Sequence, residues 1–312
     1  MRPGVLILAG PTASGKTRLA IALAKRFDAE IVGADSRQIY RDMPIGTAAP
    51  SAHEAAGVRH HLVGFLDPAR RYSAAAFVED ALAAVDDISA RGKCTIVVGG
   101  TGFYIRALSG DVALAGEWDD SLRVRLAREA ALHPPDVLHA WLAALDPARA
   151  AALPASDGYR VMRALEFALA TRSGKAQPGR KPHETLRSRG IAFMKVVLDV
   201  EMAELERRIT RRVDRMLDDG LLDEAERLGE TAIAADAVGY PQALAYLRGF
   251  STLPELRAQL IRATRRYAKR QMTWFRSEPN LTHVDDANAF DRLAAIAASL
   301  PGWSIGEFPP QA

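Results

Sequence analysis

Residues 4–10, GVLILAG, are apolar without a break, as in a strand covered on both faces of a parallel sheet. The next segment, GKTRLAIALAKRF, changes to helical spacing. AEIVGADS (29–36) is a second strand that ends in polar residues, and SAAAFVEDALAAVDDISARG (73–92) is a helix stopped by Gly92. CTIVVGGTGFY (94–104) is a third buried strand that runs into a glycine turn and a further helix. Strand and helix alternate over the first ~110 residues, which predicts a doubly wound α/β unit.

The pattern then changes. Between about 111 and 190 no strand signal occurs. DSLRVRLAREAAL, PDVLHAWLAAL, DPARAAAL and DGYRVMRALEFALAT are rich in Ala, Leu and Arg at helical spacing, followed by a loop, GKAQPGRKPHETLRSRG. AFMKVVLDV (192–200) is again a strand and returns to the sheet, the remainder reads as helical, and the tail PGWSIGEFPPQA reads as loose. The predicted architecture is an α/β, P-loop-like parallel-sheet core (1–110 and 191–300), with C-terminal helices and a helical insertion at 111–190.

Composition narrows this little. The 312 residues are 48% hydrophobic and 25% charged, ordinary for a globular chain of about two domains. No run is long and apolar enough to predict a membrane span, and the N-terminal apolar run reads as a strand, not a signal peptide, so a cytoplasmic enzyme is expected. One cysteine, Cys94, excludes an intrachain disulfide and a cysteine metal cluster. His60 and His61 have no third metal ligand near them in sequence and read as structural or polar contacts. A net charge of +3 is weak evidence for nucleic acid, so the placement of the cations decides.

Gly10, Gly15, Lys16 and Thr17 satisfy G-x-x-x-x-G-K-[ST] between a strand and a helix. Backbone N–H groups of such a loop wrap an anion, the lysine adds charge, the threonine reaches a magnesium ion, and the helix dipole adds to the attraction. Phosphoryl-transfer enzymes of this type carry an acid at the end of a later strand, but IVVGGTG has none. The carboxylate at a strand end is Asp35, which can assist magnesium, take a proton from a nucleophile, or cap the next helix with Ser36.

Near the C-terminus, a helix over 255–276 places Leu256, Leu260, Tyr267 and Trp274 in one line and Arg262, Arg265, Arg266, Lys269, Arg270 and Arg276 opposite. Such a stripe is either a phosphate-backbone footprint or a solvated basic face. RRITRRVDR (207–215) adds five arginines, RKPHETLRSR a basic loop, and Arg160 and Arg163 share a helix face. Tyr159, Trp274 and Phe275 are candidates for base stacking or, for the last two, core packing.

Taken in order, GPTASGKT (10–17), DSRQIYRDMPIGTA (35–48), YSAAAF (72–77), VGGTGFY (98–104), RVMRALE (160–166), MLDDGLLDE (216–224), AVGYPQ (237–242) and YAKRQMTWFR (267–276) resemble the tRNA dimethylallyltransferases over nearly the whole chain. The chain departs from that family's pattern at Ala49, Ser156 and Pro241. The resemblance implies transfer of the dimethylallyl group of dimethylallyl diphosphate to N6 of the adenosine 3′ of the tRNA anticodon, in tRNAs reading codons that begin with U. It implies that Gly10, Pro11, Thr12, Ala13, Ser14, Gly15, Lys16 and Thr17 hold the diphosphate, with Mg2+ on Thr17 and Arg212 on the leaving group. Asp35 would receive the N6 proton, and Ser36, Arg37 and Gln38 would line the acceptor site. Thr101, Arg123, Tyr159, Arg160, Val161, Met162 and Arg163 would contact tRNA, as would Lys269, Arg270, Gln271, Met272, Thr273, Trp274, Phe275 and Arg276. A monomer is expected. The alternative reading of the residues is a P-loop kinase of a small molecule or nucleoside.

Overall fold

The computed structural model describes residues 2–112, 114, 120–173, 183–230 and 236–304. The chain forms two compact units, residues 1–113 with 183–312, and residues 114–182. In the first, β1 (Val5–Ala9) leads through the glycine loop to α1 (Lys16–Phe27) and β2 (Ala29–Gly33). Two single-turn helices, α2 (Pro44–Thr47) and α3 (Ala52–Ala55), precede β3 (His60–His61), α4 (Ala74–Ala90), β4 (Cys94–Gly99) and α5 (Gly102–Ser109). The second unit holds α6 (Asp120–Leu132), α7 (Pro135–Leu145), α8 (Pro147–Ala151) and α9 (Gly158–Arg172). The chain returns as β5 (Phe193–Asp199), α10 (Met202–Asp218), α11 (Leu221–Leu228), α12 (Tyr240–Leu247), α13 (Leu253–Arg276), β6 (Leu281–Asp285) and α14 (Ala289–Ala298).

The six strands are all parallel, in the order β3-β2-β4-β1-β5-β6. Central β1 is fully buried and pairs on one side with β4 (Val5 opposite Thr95) and on the other with β5 (Val5 opposite Phe193). Alternation along the strands sends Leu6, Leu8, Ile96 and Leu198 against α1 and α14. Ile7, Val97 and Lys195 face the other way, towards α4 and α5, where the Phe77 and Tyr104 rings stack at 4.3 Å. A second core joins α10–α13 to Ile39, Tyr40 and Met43. The 114–182 unit has its own core of Leu126, Leu138, Leu142, Val161 and Leu165.

Two strands were not legible. β3 is only two residues long, and β6, at the sheet edge, buries Val284 alone of its five, so neither shows a strand's apolar signature. Trp303, in the tail read as loose, is buried, donates from Nε1 to Gly4 O at 2.8 Å and meets the Phe27 ring edge-on; residues 305–312 of that tail lie outside the described residues. Of the basic loop after α9, residues 174–182 lie outside them too. The rest of that loop belongs to the core: Leu186 donates its N–H to Leu108 O at 2.9 Å, and Asp111 accepts from Arg187 and from Lys195, both at 2.7 Å. The long C-terminal helix starts two residues early because Thr252, Pro254 and Glu255 form a capping box with proline in the first turn.

Candidate active site

The loop after β1 is shaped by its small residues. Gly15 is left-handed (φ 88°), as is Ala13 (φ 63°), and a Cβ at Gly10 would lie 2.8 Å from Ser14 Oγ. Lys16, first residue of α1, reaches back so that Nζ donates to Pro11 O at 3.3 Å. Burial of its ammonium lowers the Lys16 pKa to about 8, opposed by Asp35 and assisted by Arg212. An anion seated in the loop would act against this desolvation and favour the charged form of the lysine.

Asp35 stands where the chain leaves β2. Its Oδ1 accepts from the N–H groups of Arg37 (2.9 Å) and Gln38 (3.4 Å), and no donor among the described residues reaches Oδ2. Oδ1 thus performs the expected capping, although the segment it caps is a turn, not a helix. Ser36 N donates to Thr101 Oγ1 at 3.0 Å, tying the exits of β2 and β4 together. Gly99 allows this approach, since a Cβ there would lie 2.0 Å from Ala34 O. Gln38 donates from Nε2 to Thr47 O (3.1 Å) and Ala48 O (2.9 Å), so it braces a turn with the amide expected to face the acceptor.

Arg212 of α10 donates from Nη2 to the same Thr47 carbonyl at 3.2 Å. Its Nε is buried without an acceptor among the described residues, as is Ser14 Oγ in the loop. Burial depresses the guanidinium pKa from its ordinary value, against the attraction of Asp35. One turn earlier, Arg208 donates from Nη1 to Ser14 O at 3.1 Å and is held by Glu204 (2.8 Å) and Asp286. By residue type Arg208 belongs to the same basic run as Arg207 and Arg211. Helical phase could have separated it: Arg208 and Arg212 flank the buried Leu205, Ile209 and Val213, while Arg207 and Arg211 point away and are exposed.

Helix α13 divides by face as its period predicts. Arg262, Arg265, Arg266, Lys269, Arg270, Thr273 and Arg276 are exposed. Three residues expected on RNA lie inward instead. Gln271 is 6% exposed, Phe275 is 3% exposed, and Met272 packs against the helical core, because a 3.6-residue repeat puts positions 271 and 275 in line with Leu260. Trp274 is pinned rather than free to stack on a base. It lies against Gly102, with Arg106 over its ring at 4.5 Å and Phe103 edge-on at 6.4 Å. Tyr267, one turn before Gln271, has its hydroxyl pKa raised by burial and by Asp35.

In the 114–182 unit, Tyr159 is 78% exposed and Arg160 is exposed on the first turn of α9, which Asp157 caps by accepting from Arg160 N at 3.2 Å. Val161, expected on RNA, is fully buried in that unit's core, and Met162 packs against it. Arg123 (3.1 Å) and Arg163 both pair with Glu166, itself 2% exposed, so these two cations stabilise a buried carboxylate.

No group of three or more metal-type side chains occurs among the described residues. Thr17, in the first turn of α1, would supply one oxygen to a magnesium ion that takes its other ligands from water and diphosphate oxygens, the habit of this hard, reluctantly dehydrated cation. The buried, unpartnered Ser14 Oγ and Arg212 Nε fit a ligand rich in acceptors. Among the described residues, no helix is long and apolar enough to cross a membrane.

A family profile described as IPP transferase matches residues 38–278. The chain is 43% identical over 315 aligned positions to a tRNA dimethylallyltransferase of Thiobacillus denitrificans, covering 97% of this chain and 98% of that one. It is 40% identical to a tRNA dimethylallyltransferase of Geobacter sulfurreducens, covering 96% and 97%. Among solved structures, the full-length tRNA isopentenylpyrophosphate transferase of Bacillus halodurans is similar at TM-score 0.67 and 36% identity over 95% of this chain and 94% of that one. A eukaryotic dimethylallyltransferase studied acting on tRNA reaches TM-score 0.74 at 26% identity, over 94% of this chain and 77% of that one. With its phosphate loop, strand-end carboxylate and two-faced basic helix in one fold, and these relatives along nearly its whole length, the chain belongs to the tRNA dimethylallyltransferase (IPP transferase) family.

Proposed function

We propose that the protein transfers the dimethylallyl group of dimethylallyl diphosphate to N6 of the adenosine 3′ of a tRNA anticodon, releasing diphosphate. The observation that carries this reading is that two buried cations, Lys16 of the loop and Arg212 of α10, both lie within electrostatic reach of the Asp35 carboxylate, beside a loop whose Ser14 Oγ has no partner among the described residues. Lys16, Arg212 and the loop amides stabilise the charge that grows on the diphosphate oxygen as the C1–O bond breaks and the electron pair leaves with it. N6 forms the new bond to C1, and its proton passes to the carboxylate of Asp35. A magnesium ion on Thr17, when bound, supplies further charge neutralisation of the leaving group.

The acceptor base has to leave its stack, at a cost of a few kcal/mol. The exposed cations of α13, with Tyr159 and Arg160, are the groups that offset it by gripping the RNA. A kinase reading is disfavoured by the end of β4, where Gly99 and Gly100 stand in place of a magnesium-binding acid.

The test is a transfer assay with purified protein, magnesium, radiolabelled dimethylallyl diphosphate and unmodified tRNA, beside a reaction given only ATP. Label is expected in the RNA and on N6. Consumption of ATP without labelled RNA would overturn the reading.

A further inference from the structure

Gln271 is the polar side chain that α13 turns inward at the phosphate loop. Its Oε1 accepts from Thr12 N–H at 2.8 Å, and its Nε2 donates to Gly100 O at 2.9 Å. One buried amide thus ties the loop after β1 to the turn after β4, from a helix some 260 residues away in sequence (Thr12 and Gln271 are 259 positions apart). The chemistry admits few substitutes. Thr12 N–H requires an acceptor and Gly100 O requires a donor, and a carboxamide of this length carries one of each. The second glycine of VGGTG is explained by the same contact, since a Cβ at Gly100 would lie 2.2 Å from Gln271 Nε2.

We infer that Gln271 is a positioning residue for the diphosphate: it draws the Thr12 amide out of the anion cradle and fixes the loop in the shape that binds the leaving group. It acts through Thr12 and Gly100 rather than by touching substrate or RNA. The inference rests on the loop being the diphosphate site of the proposed transfer.

The test compares Gln271→Leu, which removes both hydrogen bonds, with Gly100→Ala, whose methyl group displaces the amide while leaving Gln271 in place. The expected result is a tenfold or greater rise in KM for dimethylallyl diphosphate and in Kd for inorganic diphosphate measured without RNA, with KM for tRNA within twofold of the parent. The double variant is expected to be no worse than the more impaired single one, because both break one contact. Gln271→Glu, which keeps an acceptor for Thr12 but offers no donor to Gly100, is expected to be impaired in the same parameter.

A rise in KM for tRNA with donor binding intact would overturn the inference and return Gln271 to the RNA face. A lowered Tm with both affinities retained would overturn it as well, and so would failure of both Gln271→Leu and Gly100→Ala to fold, each leaving only core packing. Failure of the transfer reading looks different: the parent protein would bind inorganic diphosphate, and the variants would lose that binding, with no label ever entering RNA.

Discussion

Helices α10 and α13 read alike in the sequence, each amphipathic and dense with arginine, and the fold uses them differently. Helix α10 turns Arg208 and Arg212 towards the phosphate loop. Helix α13 keeps its cations on the outside and turns a neutral amide inward. Countercharge accounts for the difference. Arg208 has Glu204 and Asp286, and Arg212 lies within the attraction of Asp35, whereas the inner face of α13 meets a backbone N–H that needs an acceptor, which no cation offers, together with a C=O that needs a donor. Outside, Arg257 and Arg265 pair with Asp214 and Glu206 of α10, while Arg262, Arg266, Lys269 and Arg276 have no acidic partner among the described residues. For the proposed transfer, the first helix suits the small, dense diphosphate and the second the long, diffuse charge of an RNA backbone.

That division is open to attack, from its largest expected consequence to its smallest. Asp35→Ala is expected to lower kcat for prenyl transfer by about 10²–10⁴-fold, the usual value of a positioned acid–base group, with tRNA affinity preserved. Single-turnover rates with both substrates saturating measure this, and loss of RNA binding instead would move Asp35 to the acceptor grip. Arg212→Ala is expected to cost about 10²–10³ in kcat/KM for the donor, as for removal of one preorganised donor to a developing oxyanion. If Arg207→Ala or Arg211→Ala matched it in the same assay, the inward and outward assignment on α10 would be wrong.

On α13, the combined change of Arg266, Lys269 and Arg276 to Ala is expected to leave donor affinity intact. It should reduce the slope of log K for tRNA against log salt by about one per cation removed. A titration series at several salt concentrations decides this, and an unchanged slope would leave the outer face a solvated surface.

The smallest effect concerns Lys16. Its folded pKa, about 8, lies below the ordinary 10.5, so between these values the unfolded chain holds a proton that the free folded protein lacks. Stability of the ligand-free protein is therefore expected to rise with pH across that window. Diphosphate binding runs the other way, weakening by up to about tenfold per pH unit above about 8 as the ammonium is lost. Kd for inorganic diphosphate from pH 6 to 10 checks the sign, and Lys16→Met should flatten the profile.

Much of this was legible in the chain because local chemistry declared it. The loop from Gly10 to Thr17 lies in one contiguous segment, and Asp35 follows a strand within two residues. Apolar periodicity was strong wherever elements are buried on several sides. It failed where burial is one-sided, as in β6, and where pairing is too brief to leave a pattern, as in β3. The inward roles of Arg208 and Gln271 were missed for another reason. Residue type suggested nucleic acid, while helical phase, computable from the same residues, already set Gln271 in line with Leu260 and Phe275. The burial of Val161 has the same origin, since a motif matched letter by letter does not say which letters face inward.

The hydrogen bond between Leu186 N and Leu108 O bears on how such a protein can change over evolutionary time. The chain leaves the sheet unit and re-enters it at adjoining points, with Asp111, Arg187 and Lys195 closing the gap in charge. The helical segment between them is therefore a cassette. It can lengthen, shrink or be exchanged for another without shifting the register of any strand, because the bonds that tie Leu108 and Asp111 to Leu186, Arg187 and Lys195 lie within the sheet unit itself.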